Sequence, residues 1–279
     1  MIVWLASYPK SGNTLVRALL AAYFFSKNGI LDFDKLEKIT AFPQEIFFKK
    51  FNIDIQNERE VLKNYNKIQN FINKKKSIQF MKTHSSLFNI ENKYSFTNLD
   101  NSLCAIYIVR DPRSIVTSYA HHLSVTISEA KNIMIKNHKT GFYNNSSVVT
   151  YVGTWSHNFN SWKSFKFQQR YLLIKYEDLI DDTEKIFLDI LNFVNKYNKT
   201  SETIDKIKLK NVLDSCSFEN MSKLENESGF PEAATDRAGG KKKFFNLGKE
   251  NNWKELIDLG TKKEIEKSFE KEMKELGYL

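Results

Sequence analysis

Apolar residues in this chain fall into short blocks with two different periods. Residues 1–8 are nearly all apolar and run into Pro9-Lys10-Ser11-Gly12-Asn13-Thr14, so a buried strand meets turn chemistry there. From Thr14 onward, Leu15, Val16, Ala18, Leu19, Leu20 and Tyr23 recur at helical spacing. Residues 77–84 and 171–176 read as further strands. Residues 103–110 are apolar up to the arginine, as in a central parallel strand covered on both faces. Asp111-Pro112 opens a helix with proline in its first turn. Further helices are predicted over 154–169, 182–197, 202–213 and 253–276. This alternation predicts an α/β fold with a central, mostly parallel sheet flanked by helices. Residues 32–60 and 124–150 are polar and weakly periodic, and are expected to form lids, binding loops or disordered segments. With no internal repeat and no Pro/Gly/Ser-rich linker, one domain over residues 1–279 is expected.

Composition narrows the class. Hydrophobic residues at 41% and charged residues at 27% exclude a disordered or coiled-coil chain. Ten glycines and four prolines in 279 residues argue against collagen-like and many-turned all-β architectures. Cys104 and Cys216 are too few for a disulfide framework or a four-ligand zinc site, and no metal-ligand spacing stands out. The N-terminus has no basic leader region, and no run approaches the ~20 apolar residues of a membrane span. A cytoplasmic location without stable membrane insertion is therefore expected. The net charge of +9 suits nucleic acid or a small phosphate-bearing ligand equally. Without a basic stripe, a helix-turn-helix or an RNP signature, no nucleic-acid partner is expected.

The strand–loop–helix at residues 1–23 carries the first candidate chemistry. A Walker A loop needs Gly-x4-Gly-Lys-Ser/Thr; here Lys10 precedes Gly12 and the upstream glycine is missing. The parts of an anion cradle are nonetheless present: N–H groups at a helix start, a glycine permitting close approach, the hydroxyls of Ser11 and Thr14, and the charge of Lys10.

Tyr8–Thr14, including Asn13, resembles the 5′-phosphosulfate loop of the cytosolic-type sulfotransferases, which use 3′-phosphoadenosine 5′-phosphosulfate (PAPS). A second signature of that family, a strand-end Arg followed eight residues later by Ser, corresponds to Arg110 and Ser118. Lys82-Thr83-His84 is similar to its Lys-Thr-His, Tyr176 to its nucleotide-contacting Tyr, and Ser217-Phe218 to its adenine-side Ser-Phe. Gly248 and Trp253 are similar to the Gly and Trp of its late Arg-Lys-Gly-x-x-Gly-Asp-Trp motif.

The resemblance implies a P-loop-like fold and a PAPS-dependent transferase that needs no metal and acts on a small-molecule acceptor. His84 would be the base, Lys10 would meet the bridging oxygen and Lys82 the sulfonate, while Arg110 and Ser118 would hold the 3′-phosphate. An imidazole, with its ordinary pKa near ~6.5, suits a base at neutral pH. His121 and His122 are read as surface or pocket-lining, and His138 and His157 carry no motif.

The chain departs from the family pattern at Leu15, where a Trp commonly stands, and at Asn246-Leu247, where the late motif has Arg-Lys. Asn251-Asn252 likewise replace its second Gly-Asp. Lys241–Lys243 and Arg237 are the candidate replacements for the lost charge. Acceptor specificity is assigned to 32–60 and 124–150, whose Phe42, Phe47, Phe48, Phe142 and Tyr143 are either pocket or core. An ATP-using P-loop kinase and an inactive nucleotide-binding protein are the alternatives.

Overall fold

The structure, a computed structural model, describes all residues except 76, 137–138, 141–147, 199–202, 234–239, 241, 247 and 249–250. The strands of the main sheet are β1 (Ile2–Ser7), β2 (Thr40–Ala41), β3 (Gln79–Thr83), β4 (Ser102–Val109) and β5 (Tyr171–Lys175). The longer helices are α1 (Asn13–Phe25), α2 (Glu58–Asn73), α3 (Pro112–Leu123), α4 (Ile127–Ile135), α5 (Trp155–Trp162), α6 (Thr183–Asn198), α7 (Lys206–Ser215), α8 (Phe218–Ser228) and α9 (Leu259–Ser268).

The backbone resolves into two compact units, each assembled from three stretches of sequence. The first comprises 1–13, 39–109 and 136–202; the second comprises 14–38, 110–135 and 203–279.

The first unit holds the whole five-stranded sheet, in the order β2-β3-β1-β4-β5, every pairing parallel. All six residues of β1 are buried, as its uninterrupted apolar run requires of a strand covered on both faces. Helices α5 and α6 pack on this sheet. The register sets Ala6 beside Thr83, Ser7 beside Ile108, and Val109 beside Lys175, so the carboxyl ends of four strands share one edge.

Beneath the sheet, Trp4, Phe42, Phe96 and Trp162 form an aromatic cluster, with ring centroids 5.0–6.3 Å from Trp4. Tyr65 joins it at 5.3 Å from Phe42, and Phe48 lies 5.8 Å from Tyr65. The polar edge of Trp4 is satisfied inside the cluster: Nε1 donates to Ser102 Oγ at 2.8 Å.

The second unit is helical. Asp111 caps α3 by accepting from Arg113 N and binds the Arg113 guanidinium, which also reaches Glu266 at 2.6 Å and the Tyr278 carbonyl at 2.8 Å. Lys131 on α4 pairs with Glu264 on α9 at 2.6 Å. Arg17 on α1 is tied to Glu232 and to the Leu36 carbonyl.

Several expectations need correction. The 32–60 stretch is ordered in short pieces. Thr40–Ala41 joins the sheet, and Phe42 and Phe48 are core, while Phe47 is half-buried. The 124–150 stretch contains α4; Phe142, Tyr143 and His138 lie outside the described residues. Helix α2 was not anticipated, although Val61, Leu62, Tyr65, Ile68 and Ile72 mark its buried face and Asn57 caps it. Residues 253–276 form three short helices because Asp258 caps a new start, accepting from Thr261 N. The 154–169 helix changes after Trp162 to the tighter 3₁₀ winding.

Truncating Phe96, which touches Trp4, Phe42, Tyr65, Phe88 and Trp162, should cost about 3–5 kcal/mol. Urea unfolding of Phe96→Ala checks this; a loss below ~1 kcal/mol would place the core elsewhere.

Candidate functional site

In the first unit, the loop after β1 is built for close approach. Lys10 adopts a left-handed φ of +65° and Gly12 a φ of +98°. A Cβ on Gly12 would fall 2.8 Å from Tyr176 Cε2 and closer still to Cδ2, so the Tyr176 ring lies directly on the loop backbone. The Ser11 side chain is fully buried, and its Oγ has no hydrogen-bond partner among the described residues. Asn13 Nδ2 donates to Leu5 O at 2.9 Å and to Ser7 Oγ at 3.2 Å. The Asn13 side chain therefore fastens the loop to β1, and its backbone N–H is what can face an anion. At the start of α1 the first N–H groups have no intrahelical acceptor. Thr14, in the first turn of α1 and the first residue of the second unit, is buried.

His84 follows β3 at the same sheet edge. Its Nδ1 lies 2.9 Å from Ser7 O and 3.2 Å from Ser7 Oγ. A carbonyl oxygen only accepts, so this contact places the ring proton on Nδ1 and leaves the lone pair of a neutral imidazole on Nε2. Lys82, two residues earlier, is half-buried in β3. Ser7 and Asn158, whose Nδ2 donates to His84 O at 2.9 Å, are missed by the sequence analysis. Ser7 is visible in sequence only as a strand end, and Asn158 only as one of several polar residues between Trp155 and Trp162.

In the second unit, Arg110 is buried just after β4, and Ser118 is half-buried in the second turn of α3. Ser217 caps α8, accepting from Asn220 N at 3.2 Å. Phe218 begins that helix with a half-exposed ring. A Cβ on Gly248 (φ +51°) would meet that ring at 2.8 Å, so the two are in close contact.

The late segment is anchored although its charges are changed. The buried carboxylate of Glu225 accepts from Phe244 N at 2.7 Å and from Phe245 N at 3.0 Å. Asn251 accepts from Thr117 Oγ1 at 2.6 Å and donates to Ser114 O at 3.0 Å. Asn252 caps the next turn, and Trp253 lies over the Arg113 guanidinium at 4.1 Å. Thus Asn251 fastens the segment to α3 and Asn252 caps the turn that follows, at the positions that correspond to the Gly-Asp of the family motif. Asn246 is exposed, Lys242 Nζ donates to His121 O at 3.1 Å, and Arg237, Lys241 and Leu247 lie outside the described residues.

Burial pushes the thiols of Cys104 and Cys216 up to about 12, so neither is a nucleophile at neutral pH. Among the described residues, no group of three or more His, Cys, Asp and Glu could hold a metal ion, and no helix is long and apolar enough to cross a membrane.

The sulfotransferase domain model matches residues 2–277. The chain belongs to the sulfotransferase domain family. A cytosolic sulfotransferase 14 of Arabidopsis thaliana is 29% identical over 125 residues, 44% of this chain and 36% of that protein. A flavonol 3-sulfotransferase of Flaveria bidentis is 25% identical over 286 residues, covering 99% of this chain and 82% of its own length. The fold is shared with a mouse sulfotransferase solved with PAP, at TM-score 0.58 and 17% identity over 98% of this chain and 84% of that one. Both units lie inside this sulfotransferase domain, and the P-loop-like parallel sheet is its core. The loop of the first unit fits the phosphate of a PAPS-type donor: Ser11 Oγ is buried and has no hydrogen-bond partner among the described residues, and the left-handed backbone at Gly12 is packed by the Tyr176 ring.

Gly12→Ala should remove donor binding and lower the melting temperature, because the new Cβ strikes Tyr176 in a strained φ. Calorimetry with adenosine 3′,5′-bisphosphate reads both; wild-type affinity in the variant would show that the loop does not carry the donor.

Proposed function

We propose that this sulfotransferase domain, residues 1–279 acting as one domain, moves a sulfonate group from PAPS to a hydroxyl or amine of a small-molecule acceptor in the cytoplasm. One observation carries the proposal: His84, with its Nδ1 on Ser7 O, stands at the same strand edge as the Ser11–Gly12 cradle under Tyr176. Ligand-binding and catalytic groups gather at the carboxyl ends of parallel strands, and the position of His84 at that edge supports the reading.

PAPS supplies the activated sulfonate. His84 Nε2 takes the proton of the acceptor O–H or N–H as the acceptor atom bonds to sulfur in line with the breaking S–O bond. Lys10 compensates the charge on the departing 5′-phosphate, and Lys82 does so for the sulfonate oxygens. The Ser11 hydroxyl and the N–H groups of Gly12, Asn13 and Thr14 donate to the phosphate. Arg110 and Ser118 bind the 3′-phosphate, the guanidinium with paired donors. Tyr176, Ser217, Phe218 and Gly248 border the nucleoside. The lost Arg-Lys pair is replaced by Lys242, whose ammonium is held on His121, one turn of α3 beyond Ser118. The Arabidopsis relative's name, cytosolic sulfotransferase, supports the location.

Adenosine 3′,5′-bisphosphate at ~100 times its dissociation constant should stabilise the protein by about 2.7 kcal/mol, while ADP, ATP and AMP should do much less. A shift with ATP alone would make the chain an ATP-binding protein. His84→Ala should abolish transfer from PAPS, with acceptors found by screening, and leave bisphosphate binding intact; transfer that survives would remove His84 as base.

Lys242→Ala should weaken bisphosphate binding by about tenfold while AMP binding stays unchanged, since only the bisphosphate carries the 3′-charge; charge-assisted hydrogen bonds are worth roughly 1.5–3 kcal/mol. Equal losses for both nucleotides would assign Lys242 to the architecture of α3.

A further inference from the structure

After β3 the chain leaves the sheet, and the backbone groups of residues 84–87 find no strand partner there. Buried backbone donors and acceptors must be satisfied, and one face of α5 does this with side chains. Asn158, Ser161 and Trp162 are spaced i, i+3, i+4 and so stand together. Asn158 Nδ2 donates to His84 O at 2.9 Å, Trp162 Nε1 donates to Ser85 O at 3.0 Å, and Ser161 Oγ accepts from Leu87 N at 2.8 Å. From the side, the Tyr151 carbonyl accepts from Ser86 N at 2.7 Å and Ser86 Oγ at 2.8 Å. The segment carrying His84 is thus held by α5 at His84, Ser85 and Leu87 and by Tyr151 at Ser86.

Asn158 is the centre of this arrangement. It is fully buried, and both Nδ2 hydrogens are used, the second on Val152 O at 2.7 Å. Its Oδ1 accepts from Tyr107 OH at 2.8 Å. Since the two carbonyls can only accept, the amide has one possible orientation. Burial raises the Tyr107 phenol well above its ordinary pKa, so its O–H remains a donor. Tyr107 belongs to β4, next to β1, which supplies the Ser7 carbonyl for the His84 ring. His84 is therefore held at its main chain through Asn158 and at its ring through Ser7.

We propose that Asn158, oriented by Tyr107, is a positioning residue for His84. It fixes the main-chain carbonyl so that the ring reaches Ser7 O, carries its proton on Nδ1 and presents an unprotonated Nε2. This rests on the reading of His84 as the base. An imidazole released from that geometry populates both tautomers.

The test is ¹⁵N NMR of histidine-labelled full-length protein above the His84 titration, with Asn158→Ala and Tyr107→Phe. If the deeply buried Asn158→Ala does not fold, Tyr107→Phe, which deletes one hydroxyl, carries the test. Wild-type His84 should show a single tautomer protonated on Nδ1, and the variants a mixture. Transfer from PAPS should fall by about tenfold to a hundredfold in kcat, as expected when a reacting group is displaced by ~1 Å. Affinity for adenosine 3′,5′-bisphosphate should stay within about twofold.

A wild-type His84 protonated on Nε2, or folded variants that keep the single Nδ1 tautomer, would overturn the proposal. A role confined to folding would lower stability and leave the tautomer and kcat untouched. Failure of the base assignment reads differently: His84→Ala would retain transfer while the tautomer result stood.

Discussion

Parallel pairing around β1 is the constraint on which the remaining arrangement depends. Because β3 and β4 run beside β1 in the same direction, Ser7, Thr83 and Val109 end at one edge. The chain must turn there, and each turn brings a polar residue out of a strand too buried to hold it. His84 follows β3, the Lys10–Gly12 loop follows β1, and Tyr176 follows β5. An antiparallel neighbour would have carried one of these groups to the opposite end of the sheet. Burial on both faces enforces the pairing, since a strand such as β1 gains nothing by slipping to an exposed edge.

Around that edge, local strain and local satisfaction go together. Gly12 takes its positive φ freely, but at Lys10 the left-handed conformation persists only where neighbours hold it. Asn13 supplies that hold by bonding back to β1, and the Tyr176 ring rests where a side chain on Gly12 would collide. The segment carrying His84 uses the same principle: its backbone groups are taken up by Asn158, Ser161 and Trp162. In both places a buried amide side chain fixes the backbone beside a candidate site residue.

In the second unit, the late segment is anchored by polar side chains where the family motif carries charges. Asn251 ties the late segment to α3, Asn252 caps the next turn, and Trp253 covers Arg113. Glu225 holds the turn before it with two backbone hydrogen bonds. A carboxylate that accepts two N–H groups while buried is costly to lose, since either partner left alone is an unsatisfied polar group. This explains why the segment stays docked with Asn246 in place of a cation.

The sequence by itself determined the strand–loop–helix at Lys10–Thr14, the apolar strands, the Arg110–Ser118 spacing and the family to which they belong. These are contained within short windows, where period and turn chemistry act directly on the neighbouring residues. It also suggested a loop at 32–60, because short helices and a two-residue strand are too brief to leave a period. Only the tertiary structure decided that Phe42 and Phe48 are core, that Asn13 turns back on β1, and that Ser217 serves as a helix cap. It alone brought Ser7 and Asn158 to His84, across 77 and 74 residues of chain. Such contacts leave no local signature, because a hydrogen bond between distant segments depends on which strands pair and in what direction, and no window of sequence contains both partners.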